Sequence, residues 1–229
     1  MKTPVTETLR RVQDALVQRF GHMRRAPEDR RAPEWAVVQG LIGSRMPSAA
    51  SSAVADRVLA EHGSWDAVAV LSPEELTAAL KGVRFPNQSA KRVHGVLRAI
   101  RQRVGRVDLS LLEAMDTPAA IYWLEGLPGA GRKIAAQVVN TTTLDRPALV
   151  LDTHHLRILA RLGLIAVGED TAKAYDALMP LLPAEWDAST IDEHHMLMKE
   201  LGREVCTPKN PKCPDCPALS LCPTGQARS

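Results

Sequence analysis

Leu124-Glu125-Gly126-Leu127-Pro128-Gly129-Ala130-Gly131-Arg132-Lys133 is the stretch on which the reading of this chain turns. It joins two helical patterns, Pro118–Leu124 before it and roughly Arg132–Asn140 after it. Gly129 and Gly131 let the backbone turn tightly and come close to a ligand. The amides at the start of the second helix then face outward, which suits a phosphate. A hairpin of this kind grips a DNA backbone without reading bases. A Gly-x-Gly turn alone is weak evidence, because any tight helix–helix turn can contain one. The combination Leu-Pro-Gly-x-Gly-x-Lys is much more specific. Lys133 falls in the first turn of the second helix, where the positive end of the helix dipole disfavours a protonated ammonium. A lysine that loses its proton more easily is a better amine nucleophile. The alternative is a phosphate-binding lysine, and the local sequence leaves both open.

Working outward, the flanks are helical. Ser72-Pro73-Glu74-Glu75 reads as a capping box with proline at the first helical position, and Gly82 as the stop. From Asn87, residues Val93, Val96, Leu97, Ile100 and Val104 share one face, with Lys91, Arg92, Arg98, Arg101 and Arg103 largely off it. That basic face is either a solvated surface or a DNA contact. Asp116-Thr117-Pro118 opens a further helix, and Thr190 with Glu193 reads as a capping box before His194–Leu201. SAASSAVAD at Ser48–Asp56 reads as a turn and then a helix carrying Val54, Val58 and Leu59. The charged, proline-containing run Arg24–Pro33 reads as a connector, and the tail after Cys222 as loose. No βαβ alternation is present, so the expected class is all-α.

Composition agrees. Of 229 residues, 45% are hydrophobic and 24% charged, enough to bury a core and unlike a disordered chain. Aromatics are only 3%, so strand signals are thin. The net charge of +3 and a sequence pI of about 8.8 permit a nucleic-acid partner without requiring one. There is no secretory signal pattern and no membrane-length apolar run, so a cytoplasmic protein is expected, nucleoid-associated if bacterial.

All four cysteines fall in Cys206-x6-Cys213-x2-Cys216-x5-Cys222. In a reducing compartment this density points to a metal centre rather than two disulfides. Pro208, Pro211, Pro214 and Pro217 favour a looped wrap, and Lys209 and Lys212 can point at phosphate. Zinc sites usually show paired CxxC knuckles. A single CxxC with outer gaps of six and five favours an iron–sulfur cluster over zinc. Upstream, Val150-Leu151-Asp152-Thr153-His154 follows an apolar stretch and precedes a helix read as His155–Leu162. Asp152 is read as its N-cap, as a carboxylate assisting nucleophile and leaving group, or as both.

Taken together, LPGAGRK, LDTHHLRIL and the cysteine pattern resemble the helix-hairpin-helix DNA glycosylases of the endonuclease III type, from about Trp35 to Cys222. The resemblance implies two helical domains flanking a DNA-binding groove. One is a six-helix barrel over 34–145 carrying the hairpin. The other is a discontinuous domain of 1–33 and 146–229 holding a [4Fe–4S] cluster at 206–222. It implies a monomer that acts on duplex DNA containing a damaged base or abasic site, with no membrane partner. The target base, an oxidised pyrimidine by expectation, flips into the groove. Lys133 attacks C1′ and forms a Schiff base, Asp152 is its carboxylate partner, and elimination cleaves the strand 3′ to the lesion. Cys206, Cys213, Cys216 and Cys222 hold the cluster. Leu127, Gly129, Gly131, Arg132 and His154 join Arg45 and Phe85 as residues expected on the DNA.

The chain departs from the family at specific places. Gly43-Ser44-Arg45-Met46-Pro47-Ser48 stands where the family has Ser-Ala-Gln-Ala-Thr-Asp, so Arg45 replaces the glutamine that fills the gap left by the flipped base. Arg84-Phe85-Pro86-Asn87 matches the wedge segment, with Phe85 as intercalating wedge or as core. Ile134 stands where threonine is frequent. Two rival readings remain: a monofunctional glycosylase, kept alive by the Arg45 loop, and a DNA-binding iron–sulfur protein with weak or no catalysis. The lysine argues against the first rival and the Lys133–Asp152 pair against the second.

Overall fold

A computed structural model describes residues 4–43 and 45–229. Ser44, in the loop segment compared above, and residues 1–3, at the start of the expected discontinuous domain, lie outside the described residues. The α-helices run α1 (Val5–Phe20), α2 (Pro33–Ile42), α3 (Ser48–His62), α4 (Trp65–Ala69), α5 (Pro73–Ala79), α6 (Pro86–Val104), α7 (Thr117–Glu125), α8 (Arg132–Thr141), α9 (Thr153–Arg161), α10 (Thr171–Leu178), α11 (Ala188–Glu204) and α12 (Pro223–Gln226). Among the described residues the extended pairing is a lone bridge between Arg31 and Thr142, so the fold is all-α. No helix among them is long and apolar enough to cross a membrane.

The chain divides into two compact units, Arg30–Asp145 and Met1–Asp29 with Arg146–Ser229. In the first, α6 is central. Its Val93, Val96, Leu97 and Ile100 are fully buried, and it packs on α2, α4 and α5. Lys91, Arg92, Arg98, Arg101 and Arg103 are exposed. The capping box is present: Ser72 Oγ accepts from Glu75 N–H at 3.1 Å and Glu75 Oε2 from Ser72 N–H at 2.8 Å. Helix α5 ends at Ala79, ahead of Gly82, which takes φ 97°. Helix α3 starts at Ser48 itself, so the expected turn lies before it. Helices α2 and α8 pack closely at Gly40, where a Cβ would lie 3.2 Å from Ile134 Cγ1. Ile134, unusual against the family pattern, thus fills the space over a glycine.

In the second unit, α11 packs on α1 and α9, and Leu9, Val12 and Leu16 of α1 are buried. The expected capping box at Thr190 is absent. The helix begins earlier, with Asp187 Oδ1 accepting from Thr190 N–H at 2.7 Å. Glu193 is instead 1% exposed and holds the entry to the connector, accepting from Met23 N–H and pairing with His22, each at 2.9 Å, and with Arg24 at 3.5 Å. Its neighbour Asp192 pairs with Arg25 at 2.9 Å. The connector is therefore held by buried acids, which a polar capping pattern does not reveal. The tail is also ordered: Cys222 caps the short helix Pro223–Gln226, where sequence composition predicted looseness.

Candidate active site and cysteine centre

In the unit Arg30–Asp145, the hairpin joins α7 to α8. Leu127 is 2% exposed and fills its inside. Gly129 takes φ +83°, the left-handed region that favours glycine, and a Cβ there would sit 3.5 Å from Leu41 Cδ2. Gly131 differs from expectation. Its φ of −80° is open to any residue, and a Cβ would meet nothing within 4 Å. Its backbone therefore faces open space rather than a tight turn. The Arg132 guanidinium is engaged within the hairpin, bonded to both Glu125 oxygens at 2.9 and 3.1 Å. Lys133, second residue of α8, is half-buried, and its Nζ donates to Gln137 Oε1 at 2.5 Å.

The two other expected DNA-contact positions of this unit lie on its surface. Arg45 is exposed and holds φ 57°, a left-handed conformation uncommon for a side-chain-bearing residue. Phe85 is the residue before α6 and is 39% exposed, with the Arg84 guanidinium 5.7 Å from its ring. A core role for Phe85 does not fit that exposure.

In the other unit, Asp152 is the N-cap of α9, with Oδ1 accepting from the His154 and His155 N–H groups at 2.8 and 3.0 Å. Helix α9 starts at Thr153, two residues earlier than the sequence suggested, because the cap closes on that turn. Burial works against ionisation of Asp152, but the imidazoles of His195 and His155 and the His155 N–H outweigh it and hold the carboxyl at about 2. The ring of His195 stacks on that of His155, with centroids 5.3 Å apart and planes within 4°. One turn along α11, burial pushes the Lys199 ammonium down while Asp152 partly offsets it. Gly202 follows on the same stripe. A Cβ there would lie 2.5 Å from His154 Nδ1, so only glycine lets the ring sit where it does.

The same α9 carries two arginines, one turn apart, that hold the cysteine loop. Arg157 donates to the Cys206 carbonyl at 2.9 Å and the Gly202 carbonyl at 2.8 Å. Arg161 donates to Cys206 Sγ at 3.0 Å and to the Thr207 and Pro208 carbonyls. All four cysteines are free thiols and line one cavity with Val205, Pro211 and Leu219. Gly225 N–H points at Cys222 Sγ from 3.3 Å. Burial pushes the thiols of Cys216 and Cys222 up, so in isolation they resist ionisation. Among the described residues, no group of His, Cys, Asp or Glu is placed to hold a single metal ion. The four cysteines line a common hollow, with Arg161 donating to Cys206 Sγ. Sequence reading missed Gln137, His195, Lys199 and the Arg157/Arg161 pair. The i,i+4 spacing of each pair along its helix was the available signal.

No protein-family model matches the chain. Endonuclease III of Bacillus subtilis is 32% identical over 156 residues, 68% of this chain and 64% of that protein. Endonuclease III of Thermotoga maritima is 33% identical over 151 residues, 65% of this chain and 63% of that protein. The chain spans less than two thirds of the length of these curated relatives. A solved non-covalent endonuclease III–DNA complex matches with a TM-score of 0.76 at 23% identity, covering 99% of both chains. A thermostable thymine-DNA glycosylase matches with a TM-score of 0.75 at 15% identity, covering 96% of this chain and 98% of that one. The chain is thus similar in sequence to these endonuclease III proteins over about two thirds of its length, and it shares the fold of the solved endonuclease III–DNA complex.

Proposed function

We propose that the protein is a base excision repair glycosylase with abasic-site lyase activity, acting on duplex DNA that carries a damaged base, an oxidised pyrimidine by preference. The observation that carries the proposal is the Lys133 amine in the first turn of α8, directly after the Leu127–Gly131 turn. In this reading the hairpin seats a DNA phosphate, and Lys133 Nζ attacks C1′ as the base leaves with the bonding electrons. The C1′–O4′ ring bond then opens, with O4′ taking up a proton shed by the lysine nitrogen, and the resulting iminium acidifies C2′. Loss of that proton expels the 3′ phosphate, and water releases Lys133. Asp152 stays ionised throughout the neutral range, so it is a poor proton acceptor. Its part is to offer negative charge to the cation that develops at C1′. Arg45 is assigned to the space left by the flipped base, and Phe85 to the wedge.

Cys206, Cys213, Cys216 and Cys222 would hold a [4Fe–4S] cluster. When bound, it supplies a covalent tie for the loop and a redox couple, and no step above depends on it. The test is incubation with duplexes containing an oxidised pyrimidine. Free base together with a strand broken 3′ to the lesion supports the proposal. Free base with an intact strand would point to a monofunctional glycosylase instead, and binding with neither product would remove the enzymatic reading.

A further inference from the structure

The Lys133 amine stands at the head of a one-way hydrogen-bond chain that the chemistry above does not use. Lys133 Nζ donates to Gln137 Oε1 at 2.5 Å. Gln137 Nε2 donates to Gln39 Oε1 at 2.7 Å. Gln39 Nε2 donates to Ser51 Oγ at 2.9 Å, and Ser51 Oγ to the Ser48 carbonyl at 3.0 Å. Every member belongs to the unit Arg30–Asp145.

The direction is forced by chemistry. An ammonium can only donate, so Gln137 must offer its oxygen. Its NH₂ must then find an acceptor, so Gln39 also offers its oxygen. The Gln39 NH₂ in turn needs the Ser51 hydroxyl oxygen, whose own proton goes to a carbonyl. Flipping either amide would set two donors face to face. Each link therefore fixes the orientation of the one before it.

The setting makes this chain costly to leave unsatisfied. Gln39 is 8% exposed and Ser51 fully buried. Buried amides destabilise a packed interface unless every polar atom is met. The adjacent Gly40–Ile134 contact shows that the same two helices can meet through apolar atoms alone. The polar chain is thus not a packing requirement.

We propose that Gln137 and Gln39 are positioning residues that hold the Lys133 amine in place. The proposal rests on reading Lys133 as the nucleophile, so its test needs one readout that is independent of turnover. That readout is competitive acetylation of Lys133 in the full-length, DNA-free protein, followed peptide by peptide through the range where lysines titrate. Gln137→Met removes an acceptor that favours the ammonium, so the half-point should fall. Gln39→Met frees the Gln137 amide to flip and should move it the same way. The double variant should move it no further than Gln137→Met alone, because both act on one chain. Gln137→Glu, which keeps size and polarity, should raise the half-point by about one unit. Other lysines should not move.

The second arm is borohydride trapping on an abasic duplex, measured on its alkaline plateau. Each methionine variant should slow it by about 5- to 10-fold, again without additivity, as expected for one lost hydrogen bond. Unchanged acetylation profiles in the single variants, or additive shifts in the double, overturn the proposal. If wild type traps and the variants match it in both arms, the positioning role is wrong while the nucleophile stands. If the profiles shift as stated but nothing traps, the chain is real and the reading of Lys133 is wrong.

Discussion

Replacing His155 with phenylalanine should change the response of this protein to acid by one proton. His155 is fully buried, and among the described residues neither ring nitrogen has a hydrogen-bond partner. Its ring lies flat on His195 at 5.3 Å and edge-on to His194 at 5.4 Å. Burial, reinforced by His195, presses its pKa from 6.5 down to about 3. The folded protein therefore keeps this imidazole neutral where the unfolded chain would protonate it. The associated stability is complete above the unfolded value and is lost as pH falls from there toward the folded one. Each pH unit in that window removes about 1.4 kcal/mol, so roughly 2.7 kcal/mol goes over two units. Asp152 does not confuse the measurement. Its carboxyl is held at about 2 against a usual 3.8, so its contribution is constant above that range. Phenylalanine has similar volume and no proton to bind, and near neutral pH it should change stability by less than about 1.5 kcal/mol. Urea unfolding of both proteins at a series of mildly acidic pH values gives the comparison. The variant should gain on wild type steadily as pH drops. A residual slope should remain, because burial also holds His194 well below its ordinary value. Two parallel stability curves would mean that His155 binds a proton equally in the folded and unfolded states.

Other consequences follow from specific contacts. Gly202→Ala would place a methyl 2.5 Å from His154 Nδ1, and should cost about 1–3 kcal/mol by overpacking; an unchanged urea midpoint would show that the ring yields freely. Arg45→Ala should weaken binding to a lesion-containing duplex while leaving stability within about 0.5 kcal/mol, since the side chain is exposed; equal affinity in a titration would remove Arg45 from the interface. Protein purified without oxygen should contain iron and sulfide and absorb in the visible, whereas zinc in their place would disprove the cluster assignment.

Much of the fold was legible because it rests on local rules. The Ser72 capping box, the Asp116 and Asp152 caps and the apolar stripe of α6 are each set by residues within a few positions of one another. The hairpin was legible for the same reason, although Gly131 proved to need no special backbone. What was not legible depends on partners far away in sequence. Gln39 meets Gln137 across 98 positions, and neither residue type announces such a contact. Glu193 fits a capping pattern on paper, yet it is consumed by His22 and Met23 from 171 and 170 positions away. The histidine stack beside Asp152 forms only because α9 and α11 pack together. In sequence, His155 looks like a polar residue near a helix start, when in fact it belongs to the core.

In the proposed function, Lys133 carries out amine chemistry on damaged DNA. Borohydride trapping tests it most directly, on one duplex with an abasic site and another with an oxidised pyrimidine, with wild type beside Lys133→Gln. With Lys133 as nucleophile, a covalent adduct forms on both duplexes and is lost in the variant while DNA affinity persists. An adduct that survives in Lys133→Gln, or none in wild type despite intact binding, would contradict it.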